Sequence, residues 1–215
     1  QKRLNININD YKLCSGIEIE IIPSKEQYKY NRIINYKEEE KSFYHFYFND
    51  STEEIKNNSL NKEHKISKIK IIIDYEVKSF YYLFYGCINM ESISFKKFYR
   101  NNITNMSCMF YACSTLKELN LSNFNSDNVT DMGYMFFACS SLKELNLSSF
   151  NTKNVVKMKS MFSQCTSLEK INISNFNTNN VTNMEFMFSI CPALKEIDIS
   201  NFNTNNVKNM YAMFS

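Results

Sequence analysis

The sequence predicts an α/β fold: a right-handed solenoid with a parallel β ladder and short helices, preceded by a β-rich N-terminal cap. Three observations carry this expectation. Cys87, Cys113, Cys139, Cys165 and Cys191 follow one another at a constant interval of 26 residues, and a fixed period in the twenties marks stacked units that each bury an apolar edge on the next. Within each period one half reads LKELNLSNF, with Leu116, Leu119, Leu121 and Phe124 at the spacing LxxLxLxxF, which places a short strand between Glu118 and Ser122. The other half spaces Val129, Met132, Met135, Phe136 and Cys139 three or four apart, which is the apolar stripe of a short helix. A strand that pairs in parallel with its successor returns by a right-handed crossover.

Residues 1–75 do not obey the period and read as a β-rich cap or upstream domain. Leu4, Ile6 and Ile8 alternate with asparagine, and Ile17, Ile19 and Ile21 alternate with polar residues, the two-residue rhythm of half-buried strands. Pro23 and Ser24 end the second run. A charged stretch from Lys37 to Lys41 leads into the aromatic run Phe43 to Phe48, with Asn49 and Asp50 as turn formers. The polar segment Ser51 to Lys65 reads as a short helix or a connector, and Ile66 to Ile73 as a further strand. The last strand of this region is expected to begin the sheet of the repeats, since an uncapped stack would leave its first apolar edge in water.

Residues 76–215 form the repeat region. VKSFYYLFYGC from Val77 is a worn first copy of the Met-Phe-Cys half, and strand halves begin at Met90, Leu116, Leu142, Leu168 and Leu194. In the strand half Leu119 and Leu121 are expected to face inward and Asn120 outward. Asn128 and Thr130 are expected to cap the short helix. Phe98, Phe124, Phe150, Phe176 and Phe202 should form a buried aromatic column, and Met132, Met158, Met184 and Met210 a second column of soft core filling. The chain stops at Met213, Phe214 and Ser215, partway through a unit, so an exposed apolar edge is expected at Met210, Met213 and Phe214.

The cysteines form a column rather than a metal site. There is no CxxC and no HExxH, and the two histidines, His45 and His64, lie outside the repeats. Parallel side chains on adjacent coils suit a disulfide poorly, so buried free thiols are expected. Cys14 and Cys108 fall outside the column. Cys108 occupies a position held elsewhere by Tyr134, Ser160, Phe186 and Ala212, and is expected to be more exposed.

The 25 basic and 22 acidic residues are interspersed, so no stripe points to nucleic acid or to an anionic membrane. No apolar run reaches the roughly 18 residues of a membrane helix, and no membrane insertion is expected. Glycine occurs only at Gly16, Gly86 and Gly133, which leaves no glycine-rich phosphate loop, and GxSxG is absent. Neither an enzyme nor a cofactor is expected. The informative surface is the exposed face of the sheet, with four columns: Lys117, Lys143, Glu169 and Lys195; Glu118, Glu144, Lys170 and Glu196; Asn120, Asn146, Asn172 and Asp198; Ser122, Ser148, Ser174 and Ser200. The charge swap in the third unit sets opposite charges beside each other across strands.

The run NVTDMGYMFFACSSLKELNLSSFNTKNVVKMKSMF resembles the BspA-like leucine-rich repeat proteins of bacteria and some protists, also described as the bacterial surface protein 26-residue repeat. The likeness covers Val77 to Ser215. It implies a solenoid, usually on a cell surface, with roles in adhesion and partner binding, and it brings no catalytic residues. The expected function is therefore a non-catalytic scaffold that binds a protein or a cell-surface ligand through the sheet face. The alternatives are an intracellular interaction protein, which the cysteine content favours, and a structural spacer. Sequons at Asn102, Asn128, Asn146 and Asn180 point to a secreted route only as far as an asparagine-rich chain allows.

Overall fold

The computed structural model describes residues 16–24, 32–56, 58–60 and 65–215. The expected strand at Leu4, Ile6 and Ile8, Cys14, His64 and part of the polar segment before Lys65 lie outside them. Where residues alternate apolar and polar, strands form as expected: β1 Ile17–Pro23, β2 Tyr44–Phe48 and β3 Ile69–Ile73. Ile17, Ile19, Ile21, Ile69, Ile71 and Ile73 are fully buried. Met90–Lys97 is β4 and Glu118–Asn120 is β5. The sheet runs β2-β3-β1-β4-β5, antiparallel throughout except for the parallel pair β4–β5. One expectation is corrected here: β1, not the last strand of the cap, lies beside the first strand of the repeats. Alternation tells which face of a strand is buried and leaves its neighbour open. On the opposite face Glu18 and Glu20 reach Lys97 and Lys96 of β4, each at 3.1 Å.

The repeats hold no α-helix, and the only helix among the described residues is a six-residue 3-10 helix, Glu38–Phe43. The Met-Phe-Cys half is instead a ladder of turns. Through residues 106–112 every second N–H reaches forward to the next unit: Met106 to Asp131 O, Cys108 to Gly133 O, Phe110 to Met135 O and Ala112 to Phe137 O, at 2.7–3.0 Å. The N–H groups between them close turns within the unit, Met109 to Met106 O, Tyr111 to Cys108 O and Cys113 to Phe110 O, while Ser107 N donates to Asn105 Oδ1. Every donor of the segment is satisfied, as burial demands. Two residues per unit carry positive φ: Cys108 and Ala112, then Tyr134 and Ala138, then Ser160 and Gln164. Each sits third in its turn, where a type II turn requires positive φ, and such residues end any right-handed helix. A helix of two turns is marginal in water, whereas stacking supplies each forward N–H with a carbonyl.

Parallel contact runs unbroken through this half, in the bridges Ser79↔Asn105, Asn105↔Asp131, Asp131↔Lys157, Lys157↔Asn183 and Asn183↔Asn209. Asn128 and Thr130 cap nothing. Asn128 Nδ2 donates to Asn101 O at 2.9 Å, and Asn102, Asn154, Asn180 and Asn206 likewise reach the carbonyl 27 residues back. In the strand half the ladder is partial. Glu144–Asn146 (β6) pairs in parallel with Lys170–Asn172 (β7) in a separate two-stranded sheet, β5 and β6 are not hydrogen-bonded, and residues 193–199 form no strand.

Phe84, Phe110, Phe136, Phe162 and Phe188 stack with centroids 5.2–5.6 Å apart and planes within 13°. Phe98, Phe124, Phe150 and Phe176 form the second buried column, with Phe202 half-buried. Met132, Met158 and Met184 are fully buried, while Met210 and Phe214 are exposed and Met213 is buried. The cysteines in the described residues are free. Cys113, Cys139, Cys165 and Cys191 each donate Sγ–H to a phenylalanine carbonyl 29 residues back at 3.0–3.1 Å. Burial pushes the thiols of Cys113, Cys139 and Cys165 well above their ordinary pKa. Cys108, expected to be more exposed, is buried: its side chain is small, and the equivalent positions on either side, Tyr82 and Tyr134, carry large ones that line the same groove.

Candidate functional site

The exposed columns of the strand half stand where alternation puts them. All sixteen residues singled out from the sequence are exposed except Ser148, which is half-buried. Their chemistry differs by column. In the third column, Asn120, Asn146, Asn172 and Asp198 each accept through Oδ1 the backbone N–H of the residue two positions on: Ser122 (3.0 Å), Ser148 (3.0 Å), Ser174 (3.2 Å) and Ser200 (2.9 Å). These are Asx turns; they follow β5, β6 and β7 and recur at the same place after residues 193–199, which form no strand. The hydroxyl and backbone N–H of Ser200 hold the Asp198 carboxyl below its ordinary pKa. The asparagine and serine columns therefore shape the backbone first.

The charged columns contain the expected cross-strand contact. Lys170 Nζ lies 3.0 Å from Glu144 Oε1, and that hydrogen bond raises the lysine pKa. Lys117 pairs at 3.0 Å with Glu91 of β4. Exposed pairs of this kind contribute about 0–1 kcal/mol each, so they set the pattern of charge more than the stability.

Seven of the sixteen residues come together. Glu144, Asn146, Glu169, Lys170, Asn172, Lys195 and Glu196 border one open groove of about 810 Å³, with Leu119, Leu145 and Ile171 also lining it. Lys117, Glu118, Asn120, Ser122, Lys143, Ser148, Ser174, Asp198 and Ser200 do not line it. The apolar strip is what sequence reasoning missed. Leu119, expected to face inward, is only half-buried, and so is Ile171, while Leu121, Leu147 and Ile173 are buried. The break between β5 and β6 runs past Leu119, and the absence of hydrogen bonds there could not be read from a uniform repeat. The groove can hold an extended ligand against an apolar strip between alternating acids and bases.

Among the described residues no cluster of three or more histidines, cysteines or carboxylates could hold a metal ion, and no helix is long and apolar enough to cross a membrane. No curated protein and no solved structure matches the chain. Residues 78–171 and 144–215 match the family described as Mycoplasma protein of unknown function, DUF285. The two matches together span the repeats from Lys78 to Ser215, well over half of the sequence, and the chain belongs to the DUF285 family.

Proposed function

We propose that this chain is a non-catalytic scaffold, a solenoid of BspA-like surface repeats that binds a protein or another cell-surface ligand through the exposed sheet face. The supporting observation is the groove bordered by Glu144, Lys170 and Lys195 over Leu119, Leu145 and Ile171. An extended, shallow, mixed surface on stacked units suits a large partner rather than an enclosed small molecule.

The test is a charge reversal within the groove. Glu169 and Lys195 are exposed, and neither forms an ion pair among the described residues. The double variant Glu169→Lys with Lys195→Glu should weaken binding to immobilised cell-surface and matrix proteins roughly tenfold, since mismatched charge acts against a complementary partner. Lys153→Glu, at an exposed position outside the four sheet-face columns and outside the groove, should leave binding unchanged. Equal binding by all three proteins would remove the sheet face from consideration. Changing Asn120, Asn146 and Asn172 together is the poorer test, because it also removes three Asx turns.

A second reading, an interaction protein of the cytosol using the same face, is favoured by the free cysteines of the described residues, since unpaired thiols persist more readily in a reducing compartment. Fractionation of cells producing the whole protein separates the two.

A further inference from the structure

A second groove, of about 370 Å³, crosses the turn half of the first units and shares no residue with the sheet face. Its floor is made of small side chains, Ser107, Cys108 and Gly133, and it is walled by Tyr82 at one end and Tyr134 further along. It exists because the repeat departs from uniformity there. The position of Gly133 is Lys159 and Glu185 in the next two units, and the position of Cys108 is tyrosine in the units on either side.

Both walls are held rigid. Tyr82 packs against Tyr81 (4.0 Å between centroids) and edge-on against Tyr85 (4.6 Å). Tyr134 packs against Tyr111 (6.4 Å) and Phe137 (5.9 Å). Tyrosines anchored in this way offer contact area at low entropic cost. Tyr81 keeps half its surface in solvent.

Spacing and charge indicate what fits. In the adjacent column the stacked rings of Tyr85, Tyr111 and Phe137 are 4.8 and 4.6 Å apart. Two units therefore advance about 9.4 Å along that column, which sets the offset between the backbone positions of Tyr82 and Tyr134. One turn of a polyproline II helix, three residues, advances about 9.3 Å. One unit beyond Tyr134 stand Lys157 and Lys159. Lys157 pairs with Asp131 and Lys159 with Glu185, but both ammonium groups are the more exposed partners, 64% against 21% and 35% against 18%. That end of the groove presents positive charge to a ligand. Two polar groups of the groove are occupied: Asp131 Oδ1 accepts from Gly133 N and Oδ2 from Lys157, and Ser107 Oγ donates to Asn105 Oδ1. Tyr82 and Tyr134 are half-buried and offer the rest of their ring surface to an apolar ligand such as proline.

We propose that this groove binds a proline-rich segment in the polyproline II conformation, with prolines three residues apart on Tyr82 and Tyr134 and an acidic residue just beyond, against Lys157 and Lys159. Aromatic-lined grooves capture such segments because their conformation is already formed before binding.

The probe is a fluorescein-labelled octaproline followed by two glutamates, titrated into the full chain by fluorescence anisotropy. Saturable binding is expected. Tyr134→Ala should weaken it roughly tenfold or more, as for an aromatic anchor, and Tyr134→Phe should retain it. Gly133→Lys should fill the groove and abolish binding; a Cβ there comes within 3.2 Å of Asp131 Oδ1, which must give way, so the melting temperature of the variant is measured beside its binding. A glycine-serine peptide ending in the same glutamates should not bind, and octaproline ending in two lysines should bind about tenfold more weakly. The proposal is overturned if the probe fails to bind, if Gly133→Lys binds as tightly as the parent, if the glycine-serine peptide binds equally, or if a cello-oligosaccharide binds at this groove and the probe does not.

Discussion

His45 shows how a single side chain ties the cap together. Its Nδ1 lies 3.0 Å from Glu54 Oε1 and its Nε2 3.2 Å from Asp74 Oδ2, so only the doubly protonated ring donates to both carboxylates. Burial pulls its pKa down, but the two hydrogen bonds and the two charges outweigh that and leave it raised. A raised folded pKa means that this contribution to stability is fully present below the ordinary histidine value of about 6.5 and is lost as the pH rises through the folded value. The urea midpoint should therefore be higher at pH 6 than at pH 9, and His45→Gln should shrink the difference. An unchanged pH dependence in the variant would show that the clamp does not contribute. The asparagines teach a related lesson at the same scale. Their abundance reads as composition in the sequence, yet in the fold they serve as turn acceptors at Asn120, Asn146 and Asn172 and as donors to the preceding unit at Asn128 and Asn180.

At the scale of the element, the turn ladder depends on residues willing to take positive φ. Gly86 is the one glycine among the five residues at its place in the period. Its φ is +64°, and a Cβ there would meet nothing within 4 Å. Gly86→Ala should therefore cost only the backbone strain of the left-handed region, roughly 1–2 kcal/mol, measured by urea denaturation. Ala112 and Ala138 already bear that strain at φ +56°, which explains why the position tolerates a side chain at all. A larger loss would mean that Gly86 is held by contacts rather than by conformation. The strands of the cap were legible because two-residue alternation has one structural solution, as in β1 and β3. The Met-Phe-Cys half was legible only as an apolar stripe, since a spacing of three and four suits a stacked turn as well as a helix.

For the whole molecule, the stack of phenylalanines carries the consequences of repetition. Phe136 is fully buried between Phe110 and Phe162, whereas Phe214 at the last position is 56% exposed. Phe136→Ala should lower stability by about 3–5 kcal/mol, in the range for deleting a buried aromatic. Phe214→Ala should cost far less. Because each unit touches only its neighbours, the cavity at Phe136 should also uncouple the two sides and broaden the urea transition. A sharp transition with a small shift would argue against nearest-neighbour coupling. The candidate site divides in the same way. Its charged letters, such as Glu144, Lys170 and Lys195, could be read from the period, but which of them border one groove with Leu119, Leu145 and Ile171 depends on the tertiary arrangement.

The sequence by itself determined the 26-residue period, the buried columns of phenylalanine, methionine and cysteine, and the alternating strands of the cap, because these rest on which side chains avoid water. Only the tertiary structure decided where the backbone hydrogen bonds go. An N–H in the Met-Phe-Cys half can close a helical turn or reach the next unit, and stacking supplies the carbonyl that settles the choice. The same dependence on a neighbour made β1 the partner of β4 and left β5 and β6 unpaired.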